Sequence, residues 1–528
     1  MVAWGLFFYV SKTDVIASPG GEYIEGIVGQ PQHLNPVISS SNSTDDDLSQ
    51  LIYSGLLKYD ARSNLKNDLT ESYEISDDKT LYTFHLRQDV LWHDGQPLTA
   101  RDVLFTVNLI TDPAYKSPLR YNWQGIETNL VDDYTITFGI KNPFVGLLNN
   151  FTFGVLPKHI WESVSPDKFH LADINLEPIG TGPYKYSSYQ KDSGGNIISY
   201  KLSANPVYYG GKPYISKITF NFYPDDDSIL AAYNKKEIMG INSLSPQKTA
   251  QIKLQQSTSL HKFIISRYFA VFFNQTKSVP LATDEVREAF SYATNREELM
   301  NKVLNGNGTP IYSPILPGMI GYSDEIEKRQ FDLERANKIL DDNGWSRGED
   351  GVRAKDGVVL EINLATTDWY ELQQTAEVIK EQWEKIGARI NVNILSISDI
   401  QQNYIRPREY EALLFGQVLG ADPDLYSFWH STQKKDPGLN LSLFGNSTAD
   451  DLIDAGRAEF DREKRASIYK EFQEIISKEV PAVFLYSPDY VYPVNKKVRG
   501  ISAEIIVSPA KRFSDVNLWY IKTKRIWK

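Results

Sequence analysis

Two absences narrow the chemistry open to this chain of 528 residues. It contains no cysteine, which excludes disulfide bonds, thiolate metal sites and a cysteine nucleophile together. It also lacks a block of basic residues, and its net charge is −11, so nothing in it could follow a phosphate backbone. We therefore predict no nucleic-acid partner. The absence of cysteine does not assign a cellular compartment.

The overall composition is that of a soluble globular protein. Hydrophobic residues make up 41% of the chain and charged residues 23%, both ordinary values. The length exceeds what one hydrophobic core usually supports, so two or three domains are expected.

Long hydrophobic runs are also missing, with one short exception at the start. Residues 1–10 are all apolar, and as a helix they would rise about 15 Å, half of the hydrocarbon core of a bilayer. Two interpretations compete: the remnant of a signal anchor whose upstream part is missing, or an ordinary buried N-terminal strand. We favour the first, with residues 1–20 as a partial anchor and linker. This predicts an extracytoplasmic protein, in the periplasm or on the outer face of the cytoplasmic membrane, tethered by that segment.

No motif calls for catalysis. A Gly-x-Ser-x-Gly elbow does not occur, and the seven histidines show neither an i, i+4 pair nor a metal-ligand cluster. The aspartate triplets at 45–47 and 225–227 resemble calcium loops only in charge. The Gly-Gly-Lys at 210–212 is not a phosphate loop, because Pro213 stands where Ser or Thr is required. We predict no catalytic residue, no metal, no cofactor and no enzymatic activity.

The stretch 77–103 carries the most informative local pattern. Apolar residues alternate from Tyr82 to Leu86, which predicts a strand with one buried face. Thr99, with Asp102 three residues later, is typical of a capping box that opens a helix.

Other segments extend this alternation of strands and helices. We expect a strand over 22–28 and a helix from residue 45 towards residue 59. A helical stripe of apolar residues runs over 372–386, and residues 390–394 then alternate as a strand. Strand–helix–strand order of this kind indicates an α/β fold.

The amino-acid sequence of residues 77–103 closely resembles the signature of family 5 extracellular solute-binding proteins. Further short motifs typical of that family occur in the same order along the chain, at 55–59, 180–184, 272–274, 286–293 and 480–484. These proteins are the oligopeptide- and dipeptide-binding receptors of ABC importers. The resemblance therefore implies capture of a solute rather than chemistry.

The family resemblance also implies an architecture. It is a two-lobed α/β fold of the periplasmic-binding-protein kind (class II, Venus-flytrap), with an extra subdomain inserted in lobe I. By analogy, lobe I takes residues 21–265 and 485–528, with about 60–165 as the insertion, and lobe II takes 266–484. Ligand contacts to both lobes would favour the closed state by differential affinity.

Peptide receptors of the family bind the amino terminus of the peptide through a carboxylate, and here the chain departs from the pattern. That Asp aligns with Gly420, a usual tryptophan is Gln417, and a commonly basic position is Leu414. Asp422 and Asp424 stand close by and could supply the charge, which a buried ammonium needs. The alternative is that both belong to a Pro-containing turn and cap the helix that follows.

The resemblance places several other side chains near the ligand, and we expect them to contact it: Asn274, Tyr268, Asp368, Trp369, Tyr370, Tyr404 and Arg406. The implied partners are a peptide or another small solute, an ABC permease and its ATPase subunits, bound by a monomeric receptor. The alternatives are another solute, namely an oligosaccharide, an opine or a metal chelate. A sensing adaptor or an extracytoplasmic enzyme on the same scaffold also stays open.

Overall fold

The computed structural model describes residues 12–38 and 42–528, and this part of the chain forms two compact units. The first unit takes the chain up to Phe263 together with Tyr490–Lys528, and the second takes Ile264–Asp489. Strands Thr258–Ile265 and Ala482–Asn495 run through the points where the chain passes from one unit to the other. Both units mix helices with strands, so the predicted α/β class is confirmed. The lobe bounds given above stay a prediction.

The strands of the described residues are, in chain order, β1 (Thr13–Ser18), β2 (Glu22–Val28), β3 (Leu57–Tyr59), β4 (Leu65–Asn67), β5 (Thr70–Ile75), β6 (Leu81–Leu86), β7 (Glu127–Asp132), β8 (Thr135–Gly139), β9 (Tyr184–Lys191), β10 (Ile197–Ala204), β11 (Lys217–Tyr223), β12 (Gly240–Ile241), β13 (Thr258–Ile265), β14 (Arg267–Phe273), β15 (Gly308–Pro310), β16 (Ser346–Arg347), β17 (Arg353–Lys355), β18 (Val358–Val359), β19 (Glu361–Thr367), β20 (Arg389–Leu395), β21 (Ala412–Val418), β22 (Ala482–Asn495), β23 (Ile505–Ile506) and β24 (Lys522–Trp527).

The longer helices are α1 (Ser43–Ile52), α2 (Ala100–Thr111), α3 (Asp226–Asn234), α4 (Asp284–Ala293), α5 (Arg296–Leu304), α6 (Leu333–Asp342), α7 (Tyr370–Glu384), α8 (Ser447–Ala458) and α9 (Arg462–Glu479). Short α-helical turns occur at Leu147–Asn150, Lys158–Trp161, Pro166–Phe169, Pro246–Thr249, Ile397–Asp399 and Tyr426–Trp429, and a π-helical turn at Ile400–Ile405.

The first unit contains a sheet in the order β12-β2-β11-β10-β9. β2 runs parallel to both β12 and β11, while β10 and β9 are antiparallel additions. The strand predicted over 22–28 is confirmed as β2, and it buries Tyr23, Glu25 and Ile27.

A separate antiparallel sheet, β5-β6-β8-β7, holds the informative stretch 77–103. Its β6 buries Tyr82, Phe84 and Leu86, as the alternation predicts. The backbone N–H of Thr99 donates to the Asp102 carboxylate at 2.9 Å, and α2 begins at the next residue. Both predictions for this stretch are therefore confirmed.

One expectation about the N-terminal region needs correction. The helix expected over 45–59 is α1, which ends at Ile52, and residues 57–59 form β3. Beyond the helix, Gly55 lies so close to the backbone of Phe153 that a Cβ there would be 2.8 Å from its carbonyl oxygen, so this position requires glycine. The expected anchor segment, residues 1–10, lies outside the described residues and stays a prediction. Thr13–Ser18, within the segment 1–20, is β1 and pairs antiparallel with β24.

The second unit is built on a sheet in the order β20-β19-β21-β14-β22. β19 is parallel to β20 and to β21, while β14 is antiparallel to β21 and β22. Helices α4 to α7 contribute to the apolar core on one side of this sheet, and α8 and α9 to the core on the other. The stripe predicted over 372–386 is confirmed by α7, whose Trp383 is fully buried.

Within the described ranges, no helix combines the length and the apolar composition needed to cross a membrane.

Candidate functional site

Most of the predicted ligand residues follow the carboxyl ends of neighbouring parallel strands in the second unit. Asp368, Trp369 and Tyr370 come directly after β19, and Asp422 and Asp424 follow β21. Because β19 and β21 are parallel and adjacent, the segments that follow them lie at the same edge of the sheet. In open α/β sheets, ligands bind outside the carboxyl ends of the strands.

β20, parallel to β19 on its other side, leads to two further candidates at this edge. Tyr404 lies in the π-helical turn Ile400–Ile405, and Arg406 follows it as an exposed side chain. Tyr404 packs partly against the apolar core. Single π-helical turns are frequent at functional sites.

Exposed aromatic and aliphatic side chains mark the same edge. Trp369 is 53% exposed, Tyr370 is 52% exposed, and Val418 at the end of β21 is 61% exposed. Apolar side chains grouped on a surface indicate a place where a ligand or partner is bound.

Asp422 and Asp424 form ion pairs with arginines of helices α9 and α8, respectively. The Asp422 carboxylate lies 2.7 Å from Nη2 of Arg465, and the Asp424 carboxylate lies 3.2 Å from Nε of Arg457. Burial raises the pKa of both aspartates, and the arginines act in the opposite direction. Each carboxylate therefore already has a cationic partner.

Asp424 also caps a short helix. Its carboxylate accepts a hydrogen bond from the backbone N–H of Tyr426 at 3.2 Å, where the turn Tyr426–Trp429 begins. Arg457, its ion-pair partner, places its guanidinium 4.3 Å from the centre of the Tyr426 ring. The capping alternative thus has a direct contact behind it, and ligand contact by Asp424 stays a prediction.

Tyr268 lies at the same edge but uses its hydroxyl internally. It pairs in register with Gln417, is fully buried, and donates a short hydrogen bond to the Gln417 side chain. Burial raises the pKa of Tyr268 well above its ordinary value, so the hydroxyl is a neutral donor. The Gln417 amide in turn donates to the Leu439 carbonyl at 3.3 Å.

The structure does not bring Asn274 together with the other candidates. It follows the carboxyl end of β14, which is antiparallel to β21, so it lies at the opposite edge of the sheet. Its backbone N–H donates to the Glu411 carbonyl at 2.8 Å, and its side chain donates to the Arg408 carbonyl at 3.1 Å. These bonds hold the turn that precedes β21.

One further residue at the candidate edge, Arg267, was not among the predicted ligand contacts. Arg267 is the first residue of β14 and pairs in register with Val418. The sequence does contain a signal for this residue, because Arg267 is a charged residue directly before a run of six apolar residues, 268–273.

Metal binding has no group of side chains to support it in the part of the chain that the structure describes. No cluster of three or more His, Asp or Glu residues there could hold an ion.

Comparison with known proteins identifies the family of the chain. The model of the bacterial extracellular solute-binding proteins, family 5, matches residues 64–438, more than half of the chain. The oligopeptide-binding protein AppA of Bacillus subtilis is 28% identical over 512 residues, covering 95% of this chain and 92% of that protein.

Solved structures give the same fold. The AppA structure in complex with a nonapeptide has a TM-score of 0.74 and 26% identity, and the match covers 96% of this chain and 100% of that one. The ABC transporter substrate-binding protein CtaP of Listeria monocytogenes has a TM-score of 0.82 and 26% identity, with the same coverage of both chains. These matches confirm the predicted two-lobed fold. The chain belongs to the bacterial extracellular solute-binding proteins of family 5.

Proposed function

We propose that this protein is an extracytoplasmic receptor that binds peptides and delivers them to the permease of an ABC importer. The observation that best supports this proposal is the edge of the second unit at which β19, β20 and β21 all end. Trp369 and Tyr370 are exposed at that edge. Within a family of solute-binding proteins, this edge is the natural ligand surface. A relative whose structure holds a nonapeptide supports peptide as the solute.

The proposed mechanism is a population shift between an open and a closed state. The two compact units would act as the two lobes, and a peptide that contacts both would favour closure by its differential affinity. The strands that pass between the units, β13 and β22, would carry the hinge. No bond is made or broken in this cycle, so we propose a receptor without enzymatic activity.

Assembly forms the rest of the proposal. The receptor would act as a monomer, tethered by the apolar residues 1–10 to the outer face of the cytoplasmic membrane. Its partners would be the permease and its ATPase subunits.

Peptide binding should stabilise the folded protein in a thermal-shift screen. A peptide at 100 times its Kd adds about 2.7 kcal/mol to the free energy of unfolding, because it binds the folded chain alone. We would screen a mixed peptide library against oligosaccharides, opines and metal chelates. A shift with peptides alone is expected. A shift with one of the other solutes and none with any peptide would overturn the peptide assignment.

Asp424→Asn separates the two roles considered for that carboxylate. If Asp424 binds the ammonium of the peptide, the variant should bind free-amine peptides about ten- to a hundredfold more weakly, since a charge-assisted contact contributes on the order of 1.5–3 kcal/mol. N-acetylated peptides should bind the parent poorly and lose little more in the variant. Capping alone predicts a lower melting temperature and unchanged relative affinities. Asp422→Asn is the matched variant at the neighbouring ion pair.

A further inference from the structure

Arg267 sits at the candidate edge without an anionic partner. As the first residue of β14 it lies opposite Val418, the last residue of β21, where the exposed side chains of the edge begin. Its guanidinium carbon lies 5.5 Å from the centre of the Phe269 ring. Among the described residues, no carboxylate forms an ion pair with it.

The environment of Arg267 is largely closed to water. The residue as a whole is half-buried, and its Nε is buried with no hydrogen-bond partner in the described chain. Burial lowers the pKa of Arg267, while Tyr486 and Glu371 act in the opposite direction without restoring it. A guanidinium in such a place has lost hydration and gained little in return.

Comparison within the chain shows how unusual this is. Three other arginines have a buried Nε without a hydrogen-bond partner among the described residues: Arg329, Arg465 and Arg512. Each of those three forms at least one ion pair with an aspartate or glutamate. Arg267 alone in this set has no such pair in the part of the chain that is described.

Three charged residues of this edge therefore differ in whether they form an ion pair. Asp422 and Asp424, the carboxylates expected to receive a ligand ammonium, are already paired with arginines. Arg267, one of the cations at this edge, forms no ion pair in the part of the chain that the structure describes. Of Asp422, Asp424 and Arg267, only the arginine has no ion-pair partner among the described residues, so it is available to an anionic group of the ligand.

We infer that Arg267 binds a carboxylate of the solute, and that the receptor selects its ligands by this group. The inference rests on the proposed peptide function and names the part of the peptide that is recognised. A planar guanidinium forms two parallel hydrogen bonds to a carboxylate, a geometry that lysine does not reproduce. The carboxylate is either the carboxyl terminus of the peptide or an acidic side chain.

The test compares matched peptides on the intact protein. Each peptide from the thermal-shift screen is titrated as the free acid and as the C-terminal amide, and each acidic residue is replaced in turn by its amide. The parent should lose about ten- to a hundredfold in affinity when the recognised carboxylate is removed. Loss on amidation identifies the carboxyl terminus, and loss on Asp→Asn or Glu→Gln in the peptide identifies a side chain.

Arg267→Gln should abolish this discrimination. The variant should bind the acid about as weakly as the parent binds the amide, so the two losses do not add. Arg267→Lys should recover part of the preference, because the charge is kept and the fork is lost. Arg335→Gln is the control, since Arg335 also stacks on a ring, Tyr292, but lies on α6. It should leave the preference unchanged.

The outcomes separate this inference from the function on which it rests. If the parent binds every acid and its amides equally well, Arg267 does not read a carboxylate, and peptide binding stands. If Arg267→Gln keeps the full preference, the carboxylate is read elsewhere and the inference is overturned. If no peptide binds the parent at all, the peptide function and the inference fall together.

Discussion

Replacing Arg512 with methionine should lower the free energy of unfolding of the first unit by about 3–5 kcal/mol, the range for breaking a buried ion pair. Arg512 is fully buried between two carboxylates, with its Nη2 2.5 Å from Glu25 and its Nη1 2.7 Å from Asp47. Methionine fills a similar volume without charge. It would leave Glu25 and Asp47 buried together with no cation.

This buried cluster joins segments that are far apart in the chain. Glu25 lies on β2, Asp47 on α1, and Arg512 in the turn near the end of the unit. Glu25 also accepts hydrogen bonds from the hydroxyls of Tyr23 at 2.8 Å and Tyr492 at 2.6 Å. Loss of the arginine therefore weakens the attachment of the C-terminal segment to the sheet.

The effect should depend on pH in a defined direction. Burial raises the pKa of Glu25 above its ordinary value of 4.5, although Arg512 opposes this. A carboxyl with a higher pKa in the folded chain binds its proton more tightly there. The free energy of unfolding therefore falls as pH rises from about that ordinary value through the folded pKa. Without Arg512 this pKa rises further, so the variant should be less impaired in mild acid than at neutral pH.

Urea unfolding followed by hydrogen exchange in each unit measures the effect, because one midpoint does not describe a chain of two units. Glu25→Gln is the matched control. It keeps the shape of the side chain and leaves Arg512 paired with Asp47 alone. It should be less destabilised than the Arg512→Met variant, and its stability should vary less with pH above 4.5. Equal stability of parent and Arg512→Met would contradict this account.

Trp383→Ala should have an effect of the same size in the second unit, about 3–5 kcal/mol for a large aromatic residue removed from a core. Trp383 is fully buried on α7 and stacks on Phe290, with ring centres 4.1 Å apart and planes 7° from parallel. Its Nε1 donates to the Thr294 hydroxyl at 3.0 Å. Alanine would leave a cavity and would remove the hydrogen bond that the Thr294 hydroxyl accepts from the indole.

The control for this substitution is Trp369→Ala in the same unit. Trp369 is 53% exposed, so its removal should change the free energy of unfolding by no more than about 0.5 kcal/mol. Hydrogen exchange in β14 and β21 would report on the unit directly. Similar losses in the two variants would show that burial and stacking do not decide the stability of this core.

Local signals carried the sequence-based predictions that the structure confirms. The alternation from Tyr82 to Leu86 and the capping pair Thr99 and Asp102 each need only neighbouring residues to act. The two-lobed fold was predicted from the motifs that resemble the family.

Contacts between distant segments explain what the sequence did not reveal. β1 forms because β24 pairs with it from the other end of the chain. After α1 ends at Ile52, the chain bonds to a distant segment, because the Ser54 carbonyl accepts a hydrogen bond from the backbone N–H of Val155.

The candidate site shows the same limit. The aspartates after β21 were found from their position, but their partners Arg457 and Arg465 come from α8 and α9, and no local pattern predicts that pairing. Asn274 was grouped with the ligand residues by family resemblance alone. The antiparallel direction of β14 puts it at the other edge of the sheet.

The most direct test of the central claim is titration calorimetry of the intact protein with peptides from the screen. A peptide receptor predicts saturable binding at one site per chain, with the negative heat-capacity change that accompanies burial of apolar surface. Absence of saturable binding for every peptide, together with saturable binding of an oligosaccharide, an opine or a metal chelate, would contradict it.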